Sequence, residues 1–139
     1  MKKEDLLFKK FGRCFPPGAI LFEEGQACMG MFIIQKGRVR LFKRVRGREV
    51  TIDILGPDDF FGEMACLIGH PRSINAVVEE ESHILVIQPG MLDELFRHNA
   101  AMSLRIIGNL ASRLKKAYGI IDDLVEGKAP GAEKEFSNP

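Results

Sequence analysis

A chain of 139 residues, 45% apolar and 28% charged, with a formal net charge of +1, has the make-up of one ordinary globular domain. Those totals exclude a disordered chain, and the near-neutral charge supplies no whole-protein field for nucleic acid. No apolar run approaches the roughly 18 residues that span a bilayer, and Met1-Lys2-Lys3 leads into acidic residues rather than an apolar signal core, so a reducing cytoplasm is expected.

Cys14, Cys28 and Cys66 are odd in number, widely separated and without a CxxC pair, so neither a disulfide framework nor a zinc ribbon is indicated. They read as buried or idle thiols. His70, His83 and His98 are scattered and form no metal-ligand spacing. No nucleophile, base and orienter can be assembled from this order of residues, so neither a metal site nor an enzyme is expected.

In chain order, Leu6, Leu7 and Phe11 predict a short amphipathic helix ending near Gly12. Short apolar or alternating runs follow: Ile20 to Phe22, Met31 to Gln35, Val39 to Phe42, Val50 to Leu55, Ile74 to Val78 and Ile84 to Ile87. Strands at this spacing, with Gly25, Gly37, Gly47 and Gly56 at their turns, argue for a sandwich or barrel, and a jelly roll is the closed form that fits them. Alternation puts Val39 and Leu41 on one face, and likewise Ile52 and Ile54. The basic run Lys43-Arg44-Val45-Arg46-Gly47-Arg48 reads as a solvated hairpin tip.

The stretch from Phe60 to Ala76 carries the chemistry. An apolar run ends at Gly62, where the backbone can approach a bound group, and the amides of Met64 and Ala65 would point outward at the start of a short helical turn. After the Gly69-His70-Pro71 turn, Arg72 offers a planar fork of donors suited to phosphate, with the Ser73 hydroxyl beside it. Glu63 would repel an anion, so its natural partner is a hydroxyl. One carboxylate, one arginine and several amides together suggest a sugar phosphate.

Gln88 caps a helix that opens at Pro89, with Met91, Leu92, Leu95 and Phe96 as its apolar face. Asn99 caps a longer one. On it, Ile107, Leu110, Leu114, Ala117, Ile121 and Leu124 are spaced three, four, three, four, three, a heptad seam that favours a homodimer over packing on its own domain. Gly119 interrupts this helix at a cost of roughly 1 kcal/mol relative to alanine. From Glu126 the composition is that of a linker or flexible tail.

Phe61-Gly62-Glu63, eight residues further Pro71-Arg72-Ser73, and upstream Phe15-Pro16-Pro17-Gly18, Ile20 to Gly25, Ile33 to Val39 and Gly56 to Phe60 resemble cyclic-nucleotide-binding domains of the Crp/Fnr type. The resemblance implies a mainly β fold with flanking helices, a double-stranded β-helix or jelly roll over about residues 15–88 and C-terminal helices over about 89–125. Residues 126–139 would form the tail. It also implies a ligand, cAMP or cGMP, held by Gly62, Glu63, Met64, Ala65, Arg72 and Ser73, with the glutamate on the ribose 2′-hydroxyl. Leu41 and Ile52 would belong to the apolar wall beside ribose and base, and Asn75 would face the same pocket.

The residues that align with the adenine-contacting threonine and serine of bacterial cAMP receptors are Ala117 and Tyr118. Tyr118 would stack on the base, offer its hydroxyl, or simply pack. The helix-turn-helix of a complete regulator is not seen in this chain. The function implied is a sensor whose C-terminal helix transmits binding to a partner or a further domain. The alternative is a nucleotide-free dimerisation domain of such a regulator.

Overall fold

The computed structural model describes residues 9–62 and 68–127. Two compact units are distinguished, Met1–Leu95 and Phe96–Pro139. The first contains one antiparallel sheet of six strands: β1 (Gly12–Phe15), β2 (Ile20–Phe22), β3 (Met31–Val45), β4 (Arg48–Leu55), β5 (Phe60–Phe61) and β6 (Asn75–Ile87). The main order is β1-β6-β3-β4, with β2 also on β6 and β5 also on β3. The expected jelly-roll class is therefore the observed one.

The two longest strands organise the sheet. β3 opens with a continuous buried run, Met31 to Ile34, and then alternates, so that Val39 and Leu41 are buried while Arg38 and Lys36 face solvent. β6 is apolar at both ends with an exposed Glu79-Glu80-Glu81 in its middle. Each of these strands reads as two in the sequence. They are continuous because the polar stretches pair with each other, at the cost of register shifts between Ile34 and Val39.

Gly37 sits in this irregular stretch, within β3 rather than at a turn. Its φ is +111°, and a Cβ there would lie 2.0 Å from the Ser82 hydroxyl oxygen. That hydroxyl accepts from the Arg38 amide at 3.1 Å and donates to the Glu80 carbonyl at 2.7 Å. Glycine is needed for the close approach. Gly47 does occupy a turn: Arg46 and Gly47 have φ of +54° and +78°, the pair of left-handed residues that a two-residue hairpin requires.

β4 is a terminal strand of the sheet. Its register opposes Leu41 to Asp53 and Phe42 to Thr51, so Ile52 is the extra residue of a bulge. Ile54 lies opposite Arg40. The inward wall expected from Ile52 and Ile54 is not formed, and both are more than half exposed. Two further strands carry no clear period in the sequence: β1, where a helix ends at Phe11 and the chain pairs at once with β6, and the two-residue β5. Phe11 is buried, whereas Leu6 and Leu7 lie outside the described residues.

A 3-10 turn, Pro89–Met91, starts as the Met91 amide bonds the Gln88 carbonyl, and leads into α1 (Leu92–His98). Leu95 is buried, while Phe96 is exposed. Asn99 then caps α2 (Ala100–Val125), its side-chain oxygen accepting from the Met102 amide at 3.1 Å. α2 passes Gly119 without a break, and the chain closes it where Glu126 and the left-handed Gly127 donate to Asp122 and Leu124. Met102, Ile106, Gly119 and Asp123 are its buried residues. Along the expected seam, Ile107, Leu114, Ala117, Ile121 and Leu124 are exposed and Leu110 is half-buried.

Candidate functional site

Three phenylalanines from three strands make the floor of the site. Phe32 of β3 and Phe61 of β5 are stacked with centroids 5.1 Å apart, and Phe22 at the end of β2 stands 5.7 Å from Phe32 and 6.1 Å from Phe61. Phe32 and Phe61 are cross-strand partners, so β5 needs only two residues to set this pair. These rings belong to the core cluster that includes Leu41, Ala76 and Val78.

Arg72 lies over that floor. Its guanidinium carbon is 4.1 Å from the centroid of Phe22 and 5.9 Å from that of Phe32. The residue is only 5% exposed. A buried guanidinium is costly unless polar groups and ring faces replace its water. Here Nη1 donates to the Gly62 carbonyl at 2.7 Å and Nη2 to the Gly30 carbonyl. The backbone is held as well, since Gly25 donates to the Arg72 carbonyl at 2.9 Å and the Arg72 amide donates to Gln26 at 2.8 Å. The β2–β3 loop therefore grips Arg72 through both main chain and side chain.

Gly62 is shaped for this contact. Its φ is +81°, and a Cβ would fall 2.7 Å from Arg72 Nη1 and 3.3 Å from the Phe32 ring. Two residues ten apart in sequence thus meet with no space between them. Ser73, next to Arg72, is exposed. The carboxylate and amides expected from Glu63, Met64 and Ala65 lie outside the described residues.

Asn75 is buried, and its side chain is committed to the protein. Its oxygen accepts from the Glu24 amide at 2.9 Å, and its nitrogen donates to the Glu24 carboxylate at 3.0 Å and to the Phe42 carbonyl at 3.2 Å. It ties β6 to β3 and to the loop that grips Arg72. Leu41 is buried in the core beside these residues. Ile52 does not join it: it is more than half exposed, and all of β4 before Leu55 is exposed. Tyr118 is an exposed residue of α2, in the second unit.

Several residues that build the site carry no sequence signal of that role. Gly30, Phe22 and Phe32 read only as loop and strand residues. Cys28, in the same loop, is disulfide-bonded, while Cys14 is free and exposed. The expectation of idle thiols is therefore corrected at Cys28, because pairing depends on distance in space and not on the spacing of cysteines in sequence. Cys28 also lines an open cavity of about 370 Å³, walled by Gly25 on one side and by Gly69, His70 and Pro71 on the other.

Chemically, the site offers a fixed cation, a neighbouring hydroxyl and a glycine whose carbonyl and tight backbone bring a second segment to the same point. That set suits a phosphate group. The cyclic nucleotide-binding domain family is matched over residues 12–99. The cyclic AMP receptor protein of Thermus thermophilus is 32% identical over 106 residues, 76% of this chain and 49% of that protein. A CRP-like cAMP-activated global transcriptional regulator of Mycobacterium tuberculosis is 30% identical over 118 residues, 84% of this chain and 53% of that protein. Among solved structures, the Thermus thermophilus catabolite activator protein superposes with a TM-score of 0.74 at 31% identity, covering 90% of this chain and 61% of that one. The chain spans about half the length of the curated relatives it matches.

Proposed function

Because the chain belongs to the cyclic nucleotide-binding domain family, of the Crp/Fnr type, we propose that it is a sensor module that binds cAMP or cGMP at Gly62, Arg72 and Ser73. Arg72 and the Ser73 hydroxyl take the cyclic phosphate, the Met64 and Ala65 amides complete the anion site, and Glu63 accepts from the ribose 2′-hydroxyl. Leu41 backs the sugar, and Tyr118 is the candidate contact for the base. The reading involves no catalysis: the ligand is held and released unchanged.

The observation that carries this reading is the contact between Arg72 and Gly62. A guanidinium bonded to neutral carbonyls gains when it exchanges one of them for a phosphate oxygen, since charge-assisted hydrogen bonds are roughly twice as strong. Exchanging the Gly62 carbonyl for a phosphate oxygen would alter the contact that joins Gly62 to Arg72. Ligand binding thereby acquires a structural consequence, and only interactions that differ between two arrangements can transmit a signal.

The exposed seam of α2, from Ile107 to Leu124, is the proposed homodimer face. Its apolar residues recur at heptad spacing, which suits a parallel second copy. The output, on this reading, passes through α2 to a partner or to a further domain of a transcriptional regulator. That seam also supports the alternative of a nucleotide-free dimerisation domain.

Isothermal titration of the chain with cAMP and with cGMP, repeated on Arg72→Ala, separates the two. A micromolar ligand corresponds to about 8 kcal/mol of binding free energy. Saturable binding lost in the variant supports the sensor and identifies its base. A folded, nucleotide-free chain that takes up neither ligand leaves the dimerisation reading.

A further inference from the structure

Cys14 is free and exposed, and the sheet gives it neighbours that its place in the sequence does not. β1 and β6 pair so that Cys14 stands directly opposite His83. β3 lies on the other side of β6, and there Lys36 stands opposite the same His83. A thiol, an imidazole and an ammonium from three strands therefore form one row across the sheet. Residues directly opposite on antiparallel strands have their Cβ atoms about 4.5 to 5.5 Å apart, so neighbours in such a row reach each other. Cys14 and Lys36 are exposed and His83 is half-buried, which leaves the row open to a reagent. Among the described residues no group of three or more His, Cys, Asp or Glu could hold a metal ion, so a metal is not the occupant the row is built for.

We propose that this row is a thiol-modification site, at which Cys14 forms a mixed disulfide with a small anionic disulfide of the oxidised-glutathione class. The site is independent of nucleotide binding, since Asn75 opens β6 whereas β1 pairs with Ser82 to Leu85 further along it. Each member of the row has a task. The thiolate is the reactive form of cysteine, so a nucleophilic thiol needs a base for its proton, and His83 is the base beside it. Lys36, across β6, offers a positive charge to the carboxylates of the incoming disulfide. The exposed Glu79-Glu80-Glu81 run lies past the end of the β1–β6 pairing, so no carboxylate stands between the thiol and the imidazole.

In the step itself the Cys14 proton passes to the His83 imidazole, and the thiolate attacks one sulfur of the reagent disulfide. The reagent S–S bond breaks as the new S–S bond to Cys14 forms. The second reagent sulfur leaves with the electron pair as a thiolate and takes the proton back from the imidazolium. Cys14 is thereby oxidised, one reagent sulfur is reduced, and His83 returns to its starting state.

The test incubates the whole chain at low salt with oxidised glutathione and, separately, with cystamine, a small disulfide that carries ammonium groups in place of carboxylates. Peptide mass mapping follows the adduct at Cys14 with time, and the urea-unfolded chain gives the rate of the same thiol without its row. The folded chain is expected to react with oxidised glutathione at Cys14 about tenfold faster than the unfolded one, because only the folded chain brings the base to the thiol. His83→Gln should lower the folded rate by about tenfold. Lys36→Gln should slow the reaction with oxidised glutathione and leave that with cystamine as fast or faster. Circular dichroism checks that both variants keep the sheet, and the comparison of folded with unfolded parent needs no variant at all. A folded chain that reacts at Cys14 no faster than the unfolded one overturns the proposal. So does a folded His83→Gln chain that reacts as fast as the parent, or a Lys36→Gln chain that slows equally with both reagents.

Discussion

Arg72 Nη1 and the Gly62 carbonyl oxygen are 2.7 Å apart, and a Cβ on Gly62 would stand the same 2.7 Å from that nitrogen. The glycine and the arginine are thus two halves of one feature. The absence of a side chain on the first creates the space for the second, and the carbonyl of the first satisfies the donor of the second. Substituting either residue should disturb both the resting structure and the capture of phosphate.

Arg72→Ala is expected to weaken nucleotide binding by about a hundredfold or more, since truncating one partner of a desolvated charge pair costs about 2 to 5 kcal/mol. It should also lower stability by about 1 to 3 kcal/mol, because the Gly30 and Gly62 carbonyls lose their donor and the Phe22 ring loses its cover. Titration and chemical denaturation of the same preparation give the two numbers. Affinity equal to the parent's would remove Arg72 from the site.

Gly62→Ala should cost about 1 to 3 kcal/mol of stability, from a left-handed backbone and a clash with a guanidinium that has nowhere buried to go. Because Gly47 shares a positive φ but has open space around it, Gly47→Ala isolates the backbone part of that cost. Thermal melts of the two variants, compared side by side, check the reasoning. A smaller loss at Gly62 than at Gly47 would contradict the close approach.

Asn75→Ala breaks three hydrogen bonds to Glu24 and Phe42 and leaves buried groups unsatisfied, a loss of about 1 to 3 kcal/mol. Its effect on the affinity of the folded chain should stay within about tenfold, or roughly 1.4 kcal/mol. Melting temperature and titration at a temperature where the variant is folded distinguish these. A loss of affinity as deep as that of Arg72→Ala would return Asn75 to the ligand.

For α2, Leu114→Asp and Ile121→Asp are each expected to convert a dimer into a monomer while leaving the helix content unchanged, because both side chains are exposed and the charge meets no buried group of its own chain. Light scattering after size exclusion, with circular dichroism as the control, reads the result. A parent chain that is monomeric with and without nucleotide would dismiss the seam as an interface.

Much of the architecture was legible because it is local. Glycine-punctuated alternation from Ile20 to Ile87 points to strands without any knowledge of what they pair with. Asn99 announces α2, since a cap is satisfied within one turn of its own helix. The helix runs through Gly119: a glycine lowers helix propensity by about 1 kcal/mol, and a 26-residue helix tolerates that. Glycine serves both turns and close approaches, so Gly37 reads as a turn residue in sequence, and the close approach of Ser82 is invisible from β3 alone.

The sequence by itself determined the fold class, the long capped helix and the conjunction of Gly62, Arg72 and Ser73, because residue type and short spacing are enough to express them. Only the tertiary structure decided that Arg72 is buried against the Phe22 and Phe32 rings and bonded to Gly30, 42 positions away, and that Asn75 is bonded to Glu24, 51 positions away. It also decided that β4 is exposed up to Leu55, Ile52 and Ile54 included, and that Cys28 is not an idle thiol. Those outcomes depend on strand register and on which distant segments meet, and neither is written in the local pattern of any one segment.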